Sequence, residues 1–331
     1  MSAQPSRMRR RVLTMGALAC ARLASARAAA PRDFPWKPVT IIQPYGAGNA
    51  LDVYARKFAT YLPRTLGQPV IVETRPGASG NIAAGFVARA APDGHTLLVH
   101  GVGTLLQSLI PGSNAPDPLK ALAPVTLFSE DPMVLTARSS LNVRSVAELV
   151  ARAKRDSGGL AYGTSGVGGL QHLAMLLFAR RAGIELLHVP FPNSTQMYTA
   201  MISGEVPLGF AFAGPVDAQY RSGQLVALAL SAARRSPLRP DVPTLAESGY
   251  PGYDVIGWSG ISTTGGTPAA TLERIQRAFA DALALPEIRD MLTTFGGQPI
   301  GSSPPEFARE VAETLTRWAP VMRDLFPAVK S

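Results

Sequence analysis

The chain has 331 residues, 46% of them apolar, and a formal net charge of +9. That length favours two lobes over one domain, and that apolar content supplies a buried core and excludes a disordered chain. The charge does not point to nucleic acid. Arg7, Arg9, Arg10, Arg11, Arg22 and Arg27 all stand in the first 28 residues, so the remainder carries 9 − 6 = +3 and no dense basic run.

Residues 1–28 read as an export signal. A basic start, "RMRRR", precedes the apolar "VLTMGALAC" and a small-residue site ending Ala26-Arg27-Ala28. The general secretory route is favoured over the twin-arginine one. Cys20 is the only cysteine and lacks a leucine three residues before it, so it makes a poor lipidation site. The mature chain is then free of thiols and disulfides, and the protein is expected in the periplasm, with cleavage near Ala28.

Strand and helix patterns alternate from there. "PVTIIQ" (38–43) reads as a strand and 51–66 as a helix with Leu51, Tyr54, Phe58, Tyr61, Leu62 and Leu66 on one face. "PVIVE" (69–73) is a second strand, followed by the turn "TRPGASG" and a helix from about Asn81. "HTLLVHG" (95–101) is a third strand. Alternation of this kind predicts βαβ units on a parallel sheet. Residues 111–124 are Pro-rich and read as a connection. The extended "VTLFSEDPMVLTARSS" follows, long enough to cross between lobes, and "YDVIGWSGIST" (253–263) is a second crossing candidate.

Between the two crossings the alternation restarts. Ser145 caps a helix, with Glu148 three residues on. "LAYG", "ELLHVPF", "VPLGFAF" and "LVALALS" read as strands, and 168–182 and 194–203 as helices. Two amphipathic helices close the chain. Pro268 is expected at the first helical position of one, and Phe307, Val311, Leu315, Trp318 and Met322 form the stripe of the other.

Enzyme signatures fail one by one. "GAGNAL" (46–51) and "GVGGLQ" (166–171) break G-x-G-x-x-G at its third glycine, and Val167 breaks the nucleophile-elbow pattern at 163–167. His95, His100, His172 and His188 have no metal-ligand spacing, so no metal site or cofactor is expected and the histidines read as structural or surface residues. Ser165 with His172 is the one nearby nucleophile–base pair.

What remains is two small-residue loops, each between a strand and a helix. The first offers Tyr45, Gly46, Ala47, Gly48 and Asn49, with Asp52 in the following first turn; the second offers Thr164, Ser165, Gly166 and Gly168. A helix N-terminus behind bare backbone presents unpaired N–H groups and a positive dipole end, which suits a carboxylate without Arg or Lys. Two tight structural turns would have the same sequence.

These stretches resemble one family. "PYGAGNALDVYARKFATYLPRTLGQPVIVETRPGASGNIAAGFVARAAPDGHTLL", "YGTSGVGG-x-x-HLA", "HVPF" and "RRSPLRPDVPTLAESG-x-PGY" are similar to the hallmark regions of tripartite tricarboxylate transporter receptors, the Bug solute-binding proteins. The resemblance covers essentially the whole mature chain. It implies an α/β, two-lobed periplasmic binding protein of Venus-flytrap, type II-like architecture, with two crossing strands at the hinge. Its lobes would be 29–135 plus 257–331, and 136–256. It implies a monomeric receptor that is not an enzyme. Such a receptor captures a small carboxylate on the two loops and hands it to membrane permease subunits. A sensor kinase as partner, or a periplasmic hydrolase, are the alternatives.

The chain departs from the family pattern at several points. Asn49 stands where a second glycine is usual and Leu51 where threonine is, while Asp52 matches. Phe191, Pro192 and Asn193 replace Tyr, Lys and Gly, and Pro207 stands where an Asp is usual. Phe191 and Asn193 join the expected ligand-site residues. The lost Asp weakens an amino-acid ligand, and the lost Tyr and Lys favour an apolar or aromatic monocarboxylate over citrate.

Overall fold

The computed structural model describes residues 33–156 and 158–326. The export signal therefore lies outside the described residues. The strands are β1 (Val39–Gln43), β2 (Val70–Thr74), β3 (Thr96–Gly101), β4 (Leu122–Arg138), β5 (Leu160–Thr164), β6 (Leu186–Pro190), β7 (Leu208–Phe212), β8 (Leu225–Leu230), β9 (Ile256–Thr264) and β10 (Gln298–Pro299). The helices are α1 (Ala50–Leu66), α2 (Asn81–Ala88), α3 (Val102–Leu106), α4 (Val146–Arg155), α5 (Leu170–Ala182), α6 (Ser194–Ser203), α7 (Asp217–Arg221), α8 (Ala269–Leu283), α9 (Pro286–Thr294) and α10 (Pro304–Leu325).

The strands run in the order β2-β1-β3-β9-β4-β7-β5-β6, with β8 and β10 also on β4. β1 pairs in parallel with β2 and β3, and β5 with β6 and β7, as alternation of strand and helix requires. At its centre the sheet is mixed. β9 is antiparallel to both β3 and β4, and β4 is antiparallel to β7 and β8. Both central strands are long-range returns, and their direction depends on where the chain comes from rather than on any local pattern.

β4 is the element that joins the halves. Leu122–Pro132 pairs with β9, and Met133–Arg138 pairs with β7 and β8. The backbone returns beside it, since Val255 N–H donates to Ser231 carbonyl just before β9 begins. Buried Ser129, Asp131 and Ser259 knit this crossing, with Asp131 accepting from both hydroxyls at 2.7 Å.

Two main cores flank the crossing, one within the first half and one shared by both halves. α1 buries Leu51, Tyr54, Phe58, Leu62 and Leu66 against the first sheet, and α8 buries Ile275 and Phe279 beside them. Phe58 meets Phe128 and Phe279 edge-on at 5.1 and 4.9 Å. Such pairs contribute about 0.5–1.5 kcal/mol beyond the area they bury. α10 lies along the crossing, with Phe307, Val311, Trp318 and Met322 buried in a core that also holds Leu173 and Phe178 of α5. Pro268 turns out to be the cap preceding α8, not its first residue. The helix α9, begun by Pro286, is an addition to the expected elements, as is the early start of β4 within the Pro-rich connection.

Candidate functional site

Three strand-to-helix junctions meet at the seam between the halves. The β1–α1 loop ends in Asn49, whose side chain caps α1 by accepting from Asp52 N–H at 3.2 Å. Gly48 adopts φ 84°, which glycine tolerates and most residues resist. Its N–H donates to Asp52 Oδ2 at 3.0 Å, and Arg56 Nε donates to Oδ1 at 2.9 Å. Asp52 is buried. Burial alone would raise its pKa, but the Gly48 and Arg56 bonds outweigh burial and hold it below the ordinary carboxylate value. Asp52 thus shapes the loop and leaves no free charge for a ligand. Ala47 and Gly48 are exposed, and Tyr45, Gly46 and Asn49 half-buried. Tyr45 hydroxyl sits 2.9 Å from Thr104 Oγ1 on α3, and burial pushes its pKa up.

The β5–α5 loop faces this arrangement. A Cβ placed on Gly103 of α3 would lie 3.5 Å from Leu170 N and 3.9 Å from Tyr45 hydroxyl; one on Gly166 would lie 3.7 Å from Ser79 Oγ. Gln107 Nε2, just past α3, donates to Gly168 carbonyl at 3.0 Å. Tyr45, Ser79, Gly103, Thr104 and Gln107 from one half therefore surround Gly166–Leu170 from the other.

Most N–H groups of the second loop are turned inward. Ser165 donates to Gln171 Oε1 at 3.0 Å, Gly166 to Thr164 Oγ1 at 3.3 Å, Gly168 to His172 Nδ1 at 3.0 Å, and Gly169 to Gly166 carbonyl at 3.4 Å. Thr164 is fully buried, and its hydroxyl is also 2.7 Å from His188 Nε2. Phe191 stands beneath the loop. Its N–H donates to Thr164 carbonyl at 2.9 Å, and its ring lies 3.3 Å from a Cβ placed on Gly163. Asn193 caps α6 by accepting from Gln196 N–H at 2.9 Å. Both act locally in packing and capping.

The donors left over stand at the start of α5. Asn49, Ser145, Asn193 and Ser303 cap their helices with side chains, but Gly169 gives α5 no side-chain cap. A 13-residue helix thus begins on N–H groups without a side-chain cap, with Leu170 N 3.5 Å from where a Cβ on Gly103 would stand. Lys and Arg are absent from residues 45–49, 78–80, 101–107 and 164–170. The positive potential here comes from the N-terminus of α5, about half a unit charge, while that of α1 is already met by the Asn49 cap and Asp52. Among the described residues no group of His, Cys, Asp and Glu is arranged to hold a metal.

The reading from sequence named the two outer loops and missed Ser79, Gly103, Thr104 and Gln107. One signal was available: Gly101-Val102-Gly103 follows β3 as the other small-residue loops follow β1 and β5. Ser165 and His172 do not form a nucleophile–base pair, because His172 Nδ1 is occupied by Gly168 N–H.

Two sheets joined by a shared crossing strand, with strand-to-helix loops facing across the seam, define a two-lobed periplasmic binding protein. Known proteins agree. Residues 54–326 match the tripartite tricarboxylate transporter family receptor, and the chain belongs to that family. BugT of Bordetella pertussis is 32% identical over 311 residues, covering 91% of this chain and 94% of BugT. MatC from Rhodopseudomonas palustris, solved with bound malate, superposes with a TM-score of 0.81 at 31% identity, over 87% of this chain and all of MatC. A second R. palustris protein, solved with adipate, has a TM-score of 0.81 at 30% identity, over 88% of this chain and 98% of its own.

Proposed function

We propose that this chain is a periplasmic receptor that captures a small carboxylate between its lobes and delivers it to membrane permease subunits. The observation that carries this is the N-terminus of α5, which has no side-chain cap and lies beside Gly103, a position without a side chain. A carboxylate oxygen accepts N–H bonds at about 2.9 Å, and a side chain at position 103 would crowd an oxygen bound to Leu170 N–H. The malate and adipate bound to the two R. palustris proteins belong to the same chemical class.

The α5 end supplies about half a unit of positive charge, which offsets part of one ionised carboxylate. With no cation in the seam loops, the second end of the ligand is best neutral or apolar. This favours a monocarboxylate such as benzoate over citrate. We place the lobe boundaries at 135/136 and 256/257, close to where β4 changes partners between Pro132 and Met133 and where β9 begins at Ile256. Export follows from residues 1–28, and among the described residues no helix is long and apolar enough to cross a membrane. No catalysis is assigned, since the one nucleophile–base pair offered by the sequence does not form.

A thermal-shift screen of benzoate, malate, adipate and citrate against the mature chain tests this. A ligand at 100 times its dissociation constant adds ~2.7 kcal/mol to stability. Stabilisation by at least one carboxylate, with benzoate ahead of citrate, is the expected result. No shift from any small carboxylate, or stabilisation only by neutral sugars, would reject it.

A further inference from the structure

Two histidines lie directly beneath the second loop. His172 is on the first turn of α5 and His188 is on β6. Their rings stack with centroids 4.0 Å apart and planes 15° apart, and Tyr162 of β5 stacks on His188 at 5.1 Å. Both rings hold the loop. Gly168 N–H donates to His172 Nδ1, and His188 Nε2 meets the Thr164 hydroxyl that in turn accepts from Gly166 N–H.

The Gly168 bond fixes the state of His172. An amide N–H must meet a lone pair, so Nδ1 is bare and the ring proton is on Nε2. Gly168 is confined on its other side as well. It adopts φ 73°, its carbonyl accepts from Gln107 of the opposite lobe, and a Cβ there would approach Ile110 at 2.7 Å. One peptide thus connects His172 in one lobe to Gln107 in the other, two residues before the start of α5 at Leu170.

We propose that His172 and His188 are positioning residues that hold the second loop in its ligand-binding shape, with His172 Nδ1 as an acceptor the loop cannot do without. Protonating Nδ1 sets a donor against the Gly168 donor and a cation against a second imidazole 4.0 Å away. His188 is more tolerant, because the Thr164 hydroxyl can turn to Gly166 carbonyl at 3.3 Å. Among the described residues nothing nearby favours a charged ring. The titratable neighbours are Tyr162 of β5 and the two histidines themselves; α10 presents Phe326, 6.1 Å from His172, and Gln107 is neutral. The charges closest in sequence on α10 and α5 lie outward, where Asp324 pairs with exposed Arg180 at 2.9 Å. Burial and then His188 push the His172 pKa down to about 4, and burial lowers that of His188. Affinity is therefore flat around neutrality and falls as the pH approaches 4.

The test rests on the second loop being the ligand site, and its first arm needs no ligand. Long-range proton–nitrogen NMR of the histidine rings in the mature protein should show His172 as the Nε2–H tautomer. The Gly168 amide resonance should move as His172 titrates. A protonated Nδ1 at neutral pH, or a Gly168 amide indifferent to that titration, would overturn the proposal. The second arm uses adipate as probe. His172→Phe keeps the stack but removes the acceptor, and should weaken adipate about tenfold, the scale of one hydrogen bond. His172→Asn supplies a non-titrating Oδ1 near the Nδ1 position and should restore binding to within about threefold of the wild type. The ratio of wild-type to His172→Asn affinity should fall about twofold between pH 7 and pH 4, where half of the His172 rings are protonated, and protonation of adipate cancels in that ratio. Wild-type affinity in a well-folded His172→Phe protein, or a flat ratio, would overturn the proposal. If adipate binds neither protein, the choice of ligand has failed and the NMR arm alone decides.

Discussion

Asp131 sits where β4 leaves one sheet for the other, and replacing it with Asn should stabilise the protein. The carboxylate is buried, accepts from Ser129 and Ser259 at 2.7 Å, and forms no ion pair among the described residues. Burial pushes its pKa up to about 6, although the two hydroxyls pull it down. The sign follows from linkage. Below about pH 4 the group is protonated in both the folded and the unfolded chain. Between about 4 and 6 the unfolded chain loses its proton while the folded chain keeps it, so stability falls as pH rises. Above 6 the folded state carries the full cost of a buried charge. Moving from the ordinary 3.8 to about 6 corresponds to ~3 kcal/mol. Asp131→Asn removes that cost and keeps one acceptor oxygen, while either serine hydroxyl can turn to accept from the new amide. The variant should gain up to ~3 kcal/mol at pH 7.5 and little at pH 4, read from urea unfolding at both values. A variant less stable than wild type by the same margin at both pH values would refute the reasoning. It would mean that the hydroxyl bonds, not the buried charge, dominate at the crossing.

Two further substitutions test the packing and the ends of helices. Gly260 of β9 lies under Phe307 of α10 so closely that an added methyl collides with the ring. Gly260→Ala should cost about 1–3 kcal/mol by overpacking, with much of it recovered in Gly260→Ala/Phe307→Leu, as thermal unfolding would show. Ser145→Ala removes the cap that accepts from Glu148 N–H at 3.2 Å and should cost about 1 kcal/mol in the same assay.

Much of the fold was legible because local signals agreed with one another. On α1 the apolar spacing of Leu51, Tyr54, Phe58, Leu62 and Leu66 matches the buried face, and Asn49 and Gly67 cap its ends. Ser145 begins α4 as its position before an apolar pattern suggests, though Glu148 reaches back to Arg144 N–H rather than to Ser145. The direction of β9 was not legible, since strand sense depends on contacts more than a hundred residues away, such as Leu97 with Thr263. The site divides in the same way. Glycines at strand-to-helix junctions announce bare backbone, but which N–H groups remain free depends on side chains from elsewhere. Gln171 and His172 occupy two of them from the next helix turn. His172 and His188, 16 residues apart in sequence, meet because His188 stands beside Tyr162 in the β5–β6 register. No spacing rule for metals or catalysis describes that stack.

An anion seated against the first N–H groups of α5 is the central element of the proposed site, and Gly103 is the residue that tests it. Its backbone is not in the left-handed region, and an added Cβ meets nothing nearer than Leu170 N at 3.5 Å, so Gly103→Ala should fold normally and, within α3, gain a little stability. The same methyl occupies the space in which a carboxylate oxygen would reach Leu170 N–H. Isothermal titration of wild type and Gly103→Ala with the tightest carboxylate from the screen, alongside their melting temperatures, is the decisive measurement. An unchanged or higher melting temperature with affinity reduced at least tenfold is the expected result. Equal affinity in the two proteins would contradict the placement of the carboxylate at this helix end.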